Sequence, residues 1–325
     1  MRRSAVVITL LLTTAAGPLS GQTPYPQCSI YGSSPYTTSD LNLCNAAIDG
    51  AEIFHPVAGL LVSGGNPVLG SIGTLGGLGH FALTARVNGT EVVSPDLSYD
   101  GSTATVGQGN KILAPTPLVE AAVGIFGGVG PMHVLAIDAL GSALLLPTTQ
   151  ISGLQVDPGA HEIAGLALGL GYGGRVGVIS GAGAVPSVSL SVMRRDMPRI
   201  AYGDFTGGNM YTYGVDLHAT NLRAIAGYHL AIFNVGAGVG WDKYTGTADI
   251  AFTPTVGPAQ NLNDIELDNT RTMAFLTTAV DLPIVKIGME AGYQFGGDQN
   301  LATTFTGNDP SNRRLFVGGG VRLTF

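Results

Sequence analysis

Charged side chains are scarce in this chain: Asp, Glu, Lys and Arg together make up 11% of 325 residues, where a globular domain carries about 25%. The 15 basic residues are outnumbered by 22 acidic ones, for a formal net charge of −7. No basic stripe is present to displace counterions from phosphates, which argues against nucleic acid as a partner. Beyond the N-terminus the sequence also lacks a clean run of about 20 apolar residues, so a bundle of membrane-crossing helices is not expected. Yet mean hydropathy is positive, at +0.31. A hydrophobic chain without such runs has to hide its apolar surface another way. Closed barrels do so, because each strand alternates and contributes only a half-apolar segment.

Enzyme signatures are missing too. His161-Glu162 is not followed by the second histidine of a zinc site, and no local signature of a hydrolytic barrel is visible around the six histidines. The chain is therefore not expected to be an enzyme, and no cofactor is expected. Gly169, Gly171 and Gly174 match the dinucleotide string, but they fall within a strand-like segment instead of between a strand and a helix. They read as structural.

Arg2 and Arg3, the apolar residues 5–16 and the small-residue exit at 17–21 read as a secretory signal, cleaved after Gly21. Gln22 stands where a lipidated cysteine would have to be. Export places the two cysteines, Cys28 and Cys44, in an oxidising compartment, so a disulfide closing a small N-terminal loop is expected. Metal binding is the alternative, and it would need further ligands nearby. Residues 22–77 form a segment of their own, either periplasmic or a plug folded into a barrel mouth. Leu41, Leu43, Ala46, Ala47 and Ile48 have helix-like spacing, Ser39 or Asp40 could cap them, and a glycine-rich stretch follows at 64–79.

From residue 78 onward the period changes to two. Phe81, Leu83, Ala85 and Val87 alternate with polar neighbours, as do Val235, Ala237, Val239 and Trp241 with Gly236, Gly238, Gly240 and Asp242. The clearest case is Val285, Ile287, Met289, Ala291, Tyr293 and Phe295, set against Lys286, Gly288, Glu290, Gly292 and Gln294. An apolar face repeated this often needs an apolar medium, and lipid supplies one. Tyr172, Trp241, Tyr293 and Phe295 fall toward strand ends, where interfacial aromatics belong. Tight turns alternate with longer polar connections. The reading is an all-β, transmembrane, antiparallel up-and-down β-barrel of about ten strands, with twelve or fourteen open, over residues 78–325. Both ends of this strand array are placed on the periplasmic side. Two stretches disobey the pattern: 132–146 is apolar on both faces, and 211–229 changes parity near Thr220, which a bulge would explain.

The C-terminal strand ends Val321, Leu323, Phe325. An alternating strand that stops on phenylalanine resembles the assembly signal of bacterial outer-membrane barrel proteins. That resemblance implies location in the cell outer membrane, contact with its lipid and lipopolysaccharide, and partners in the barrel-assembly machinery and periplasmic chaperones. Residues 80–325 are more loosely similar to long-chain fatty-acid transporter barrels, which place a helical N-terminal segment inside the barrel. Asn66-Pro67-Val68 is a partial echo of the Asn-Pro-Ala signature in their plug.

Arg86, Glu120, Asp216, His218, Asp242, Lys286, Glu290 and Arg322 are expected to face the lumen. There they either set the selectivity of a pore or pair and fill a narrow interior. Asp264, Glu266 and Asp268 alternate in an expected external loop, as solvated charge or as oxygen ligands for calcium. Arg194, Arg195, Asp196 and Arg199 are expected to line the rim or to pair with loop carboxylates. The functional expectation is a passive channel or uptake barrel for a small solute, hydrophobic solutes included. The alternatives are a structural or surface-interaction barrel with an occluded lumen and, behind it, a loop-borne hydrolase.

Overall fold

The alternating segments pair into a closed wall. In the computed structural model, which describes residues 23–147, 154–156, 162–163, 165–181, 185–205 and 208–325, ten antiparallel strands form the barrel. They are β1 (Phe81–Pro95), β2 (Gln108–Phe126), β3 (Ala136–Pro147), β4 (Leu166–Ile179) and β5 (Ser187–Tyr202), then β6 (Tyr211–Leu230), β7 (Phe233–Phe252), β8 (Gln260–Asp281), β9 (Val285–Phe295) and β10 (Arg314–Thr324). Each pairs with its neighbours in sequence, and β1 closes on β10 from Ala82↔Thr324 to Thr90↔Phe316. The signal-like segment 1–21 and His161 lie outside the described residues.

The two ends of the barrel differ. At one, β6 and β7 are joined through only Ala231 and Ile232, and β8 and β9 through 282–284. Phe81 stacks on Phe325 there, with ring centroids 4.7 Å apart. The opposite end carries the longest fully described connections, 96–107 and 296–313.

The outer face has two zones. From the short-turn end upward, Phe233, Val235, Val239 and Trp241 on β7 point outward, beside Leu276 on β8 and Ile287, Met289, Tyr293 and Phe295 on β9. Nine residues from Phe233 to Trp241, at ~3.3 Å each and tilted by ~40°, make a belt roughly 20–25 Å tall. Above that belt β6, β7 and β8 continue, being 20, 20 and 22 residues long against 11 for β9 and β10. In this upper wall the outward positions are polar, and the inward ones, among them Tyr213, Val215, Leu217, Tyr244, Ile250 and Phe252, are apolar and buried.

Two expectations are corrected here. Strand β6 keeps its register with β7 from Leu230↔Phe233 to Tyr211↔Phe252, without a bulge. The side-chain parity holds throughout, and what inverts at Thr220 is the polarity of the faces. Likewise Asp264, Glu266 and Asp268 lie on the outer face of β8 instead of in a loop, because β7 and β8 run on as a hairpin to Phe252 and Gln260.

What fills the interior explains the inversion. Helix α1 (Thr38–Ser63) is 26 residues long, about 39 Å at 1.5 Å per residue, and it is far longer than the helix-like spacing of 41–48 suggested. By length and composition it could cross a membrane, yet 89% of its most apolar window is buried inside the protein. Its N-cap is Thr37, whose backbone N–H donates to Asp40 Oδ2 at 2.7 Å, so Asp40 acts from the third helical position. Pro56 sits inside the helix and has no N–H for the Glu52 carbonyl. The Gln299 side chain donates to that carbonyl instead, at 2.7 Å. Gly59 permits the closest approach to the wall, since a Cβ there would lie 2.5 Å from the Tyr244 ring. The disulfide Cys28–Cys44 ties a short 3-10 turn (Pro26–Gly32) to the helix.

The helix starts at the rim of long connections and ends halfway down the barrel. Asp40 accepts from Thr255 N at 2.6 Å, and Asp49 from Thr303 N at 2.6 Å, whereas Ser63 meets Asn221 in mid-wall. Residues 64–80 then descend to β1 at the short-turn end, where His80 O accepts from Gly124 N. Tyr25 and Phe325 therefore lie at opposite ends of the barrel, whereas Phe81 and Phe325, at the start and finish of the strand array, lie at the same end. The apolar inward residues of 132–146 have a partner in the same descending segment: Leu140 packs with Val68, Ala82, Ala122 and Met193.

Candidate functional site

The end of α1 is the point where buried charges of the wall converge on the backbone of the plug. A helix C-terminus leaves unpaired carbonyls and carries partial negative charge, and the wall answers with arginine. Arg223 donates to Gly65 O and Gly64 O at 2.9 Å each, and Arg86 to Asn66 O at 2.7 Å. Asn88 Nδ2 donates to Leu61 O at 3.1 Å. The next two amides turn the other way, Gly65 N and Asn66 N donating to the two carboxylate oxygens of Glu290 at 2.9 and 2.8 Å. Gly64 itself has φ +57°, and a Cβ there would meet Arg86 Nη2 at 2.7 Å, so the turn out of the helix requires glycine.

The wall groups also bond to one another. Arg86 is paired with Glu290 and reaches Glu120 at 3.4 Å, and Arg195 reaches the other oxygen of Glu120 at 3.5 Å. Arg195 donates to Asn221 (2.6 Å), Asn221 to Asp242 (2.8 Å), and Arg223 to Asp242 (2.6 Å). Tyr244 OH donates to the second Asp242 oxygen at 3.0 Å and accepts from Gln294 at 2.9 Å. Three arginines face three carboxylates, so the ring is neutral by itself. Its members are nearly fully buried, and a buried charge persists only when paired and hydrogen-bonded.

Two smaller locks lie nearer the short-turn end. Arg175 on β4 pairs with Asp138 on β3 at 2.6 Å, and Asp138 also accepts from Leu75 N at 3.2 Å. Arg322 donates to Leu69 O at 2.9 Å.

Of the eight residues expected in the lumen, Arg86, Glu120, Asp242 and Glu290 meet in the central ring. Arg322 holds the descending segment, and Lys286 pairs with Asp281 at the short-turn end, at 2.6 Å. Asp216 and His218 are corrections: both lie on the outer face of β6, above the belt, because the interior at that height is taken by the apolar helix. His218 Nδ1 is 2.6 Å from Asp196, and Asp216 is 3.5 Å from Arg199, which also pairs with Asp249. Of the four expected at the rim, Arg194, Asp196 and Arg199 are on that outer face, while Arg195 points inward into the ring. Asp268 pairs with Lys243. Val321 and Phe325 are exposed on the outer face. Arg195, Arg223, Arg175 and Asp138 were missed as inward residues, although strand parity would have found them: Val192 and Leu222 face out, so Arg195 and Arg223 face in.

No family model matches the chain, and no curated protein matches it in sequence. Among solved structures it is similar to the outer-membrane protease OmpT of Escherichia coli, at 10% identity, 76% of this chain, 96% of that one and a TM-score of 0.36. It is similar to the translocator domain of the autotransporter NalP of Neisseria meningitidis, at 12%, 85%, 98% and 0.43. A third is the toluene transporter TodX of Pseudomonas putida, at 12%, 79%, 96% and 0.29. These likenesses concern fold, and their roles differ. The decisive observation is the outward apolar belt on a closed antiparallel wall. The chain is a closed ten-stranded antiparallel β-barrel.

The rim of long connections carries a second polar group. Tyr25, Gln27, Glu52, Leu262, Asp264 and Glu266 line a cleft of about 400 Å³. Burial pushes the Asp49 carboxyl up to about 6, against hydrogen bonds from Thr303 and Tyr25. Burial also pushes Glu52 up to about 7, where a hydrogen bond from Asn269 opposes it and the Asp49 charge one turn away adds to it.

Proposed function

We propose that the protein is a sealed barrel that serves the outer membrane as a surface scaffold, working through its rim of long connections and not by passage through its lumen. The observation that carries this reading is the central ring, in which buried arginines and carboxylates of the wall grip the carbonyls and amides at the end of α1. Opening a path would strip several charge-assisted hydrogen bonds at once, each worth ~1.5–3 kcal/mol. That cost favours the occluded barrel over the passive channel.

The outer face above the belt supports a second part of the reading, contact with lipopolysaccharide. Arg194, Arg199 and Lys243 alternate there with Asp196, Asp216, Asp249 and Asp268, at the height of the headgroups. Assembly through Val321, Leu323 and Phe325 belongs to the same proposal. The test is reconstitution of the refolded protein into planar bilayers and dye-loaded liposomes. The expected result is no steady conductance and no leakage above that of protein-free membranes. A stable, reproducible conductance step from the wild-type chain would overturn the sealed-barrel reading.

A further inference from the structure

The direction of α1 fixes where the chain before it must be. Its first turn is held at the rim of long connections by Thr255 and by Gly101, whose carbonyl accepts from Asn42 Nδ2 at 3.0 Å. The residues ahead of the helix stay at that rim. Tyr31 packs edge-on against Phe252, the last residue of β7, at 4.8 Å, and Tyr25 donates to Asp49 at 2.7 Å beside the cleft formed by the start of β8. The return path is equally definite. Residues 64–80 leave the helix in mid-barrel, pass Leu69 beside Arg322 and Leu75 beside Asp138, and enter β1 at the end where Phe81 stacks on Phe325. One polypeptide thus runs the whole length of the lumen, with its N-terminal side at the long-connection rim.

We propose that the barrel presents the N-terminal end of its mature chain on the outer surface of the cell, so that a segment joined ahead of Thr23 is displayed outside. This rests on the reading above that the long-connection rim is the external one. Two features make the threading a built arrangement. The disulfide between Cys28 and Cys44 fastens the segment ahead of the helix to the helix itself, so the pair stays at the rim as one body. Gly59 fits against Tyr244 without room for even a Cβ, and the ring below grips Gly64, Gly65 and Asn66, so the helix is fixed against sliding along the lumen. A lumen so filled cannot pass a disulfide-closed loop and a 26-residue helix through after closure. The wall must close around them, and the β1–β10 seam is the joint where a strand that directly follows the plug can pair last.

The experiment places a short epitope between Thr23 and Pro24 of the full-length chain, expressed in a Gram-negative host, and probes it with antibody on intact and on permeabilised cells. Control epitopes sit in the rim connection after Gly257 and in the short-turn end after Gly130. The expected result is labelling of the Thr23 and Gly257 epitopes on intact cells to within about twofold of each other. The Gly130 epitope should label only after permeabilisation. Labelling at Gly257 but not at Thr23 on intact cells overturns the display proposal and leaves the orientation standing. Labelling at Gly130 and not at Gly257 overturns both. Should the insertion impair folding, seen as loss of heat-modifiable mobility on gels, Thr23→Lys takes its place with a membrane-impermeant amine reagent. Lys111 at the long-connection end and Lys286 at the short-turn end are then the internal controls. Modification of residue 23 alongside Lys111 is expected, and modification of Lys111 alone overturns the proposal.

Discussion

The lower and upper halves of the wall are made of the same strands with the same alternation, and they use it in opposite senses. In the lower half of β7, Val235, Val239 and Trp241 face out and Asn234 and Asp242 face in. In its upper half Lys243 and Asp249 face out, and Tyr244, Ile250 and Phe252 face in. The pairing of β7 with both neighbours runs unbroken from Trp241 to Thr245, where the halves meet. Below Trp241 the outward side chains are apolar and the inside holds a charged ring. Above it the outward side chains are polar, and the inside holds an apolar helix. Alternation therefore reports that two faces meet different media, and the identity of each medium has to come from elsewhere.

The largest effect is expected where the halves meet. Glu290→Ala removes the carboxylate that pairs with Arg86 and accepts from Gly65 N and Asn66 N, leaving a buried cation and two amides without their acceptor. Breaking a buried pair from one side costs about 3–5 kcal/mol. Urea unfolding of the refolded protein in detergent should show a loss of that size, together with conductance in bilayers that the wild type lacks. A loss below about 1 kcal/mol would mean that the plug is held by the helix alone.

A matched pair of substitutions tests the zones directly. Leu276 and Thr245 both point outward, Leu276 at mid-belt opposite Ala237 and Ala291, and Thr245 four residues above Trp241 between His218 and Asp268. Leu276→Arg should destabilise by about 2–4 kcal/mol in bilayers, as arginine does at a membrane midplane. Thr245→Arg should stay within about 0.5 kcal/mol. Equal effects would erase the boundary at Trp241.

This division also says what was legible in the sequence. The lower strands, such as 285–295, announced themselves because lipid on one side and small or polar residues on the other give an unbroken alternation. The upper strands announced themselves as strands and then misled about facing: Asp216 and His218 looked inward because polar residues had meant lumen further down. No local signal in 211–230 reveals that a helix from 38–63 occupies the interior there. That is a long-range fact, and it also hid the extent of the helix, whose Gly50, Pro56 and Gly59 are residue types that disfavour an isolated helix. Each is tolerated for a tertiary reason, Gly50 against Tyr213, Gly59 against Tyr244 and Pro56 through Gln299. The ring was half legible, since four of its members were named on parity and Arg195 and Arg223 obey the same rule. What parity could not supply was their common partner, the backbone at 64–66.

A smaller shift than those at the ring and the belt is expected at the rim, and it depends on pH. Glu52 holds its proton up to about 7 in the folded protein because it is buried, against an ordinary value of 4.5. For an acid whose pKa is raised by folding, the folded state binds the proton more tightly than the unfolded one. Its contribution to stability is fully present below pH 4.5, declines as the pH rises, and is lost above about 7. Glu52→Gln removes that decline while keeping a side chain of similar shape beside Asn269. The variant should therefore gain on the wild type between pH 5 and pH 8, by on the order of 1–2 kcal/mol. Asp49 and His55 titrate in both chains, and Asp49, freed of the Glu52 charge that it opposes, ionises more readily in the variant, which widens the gap in the same direction. Parallel stability profiles from pH 5 to pH 8 would show that Glu52 reaches water at the cleft and ionises normally. A widening gap would show that the apolar interior of the upper wall extends to the mouth.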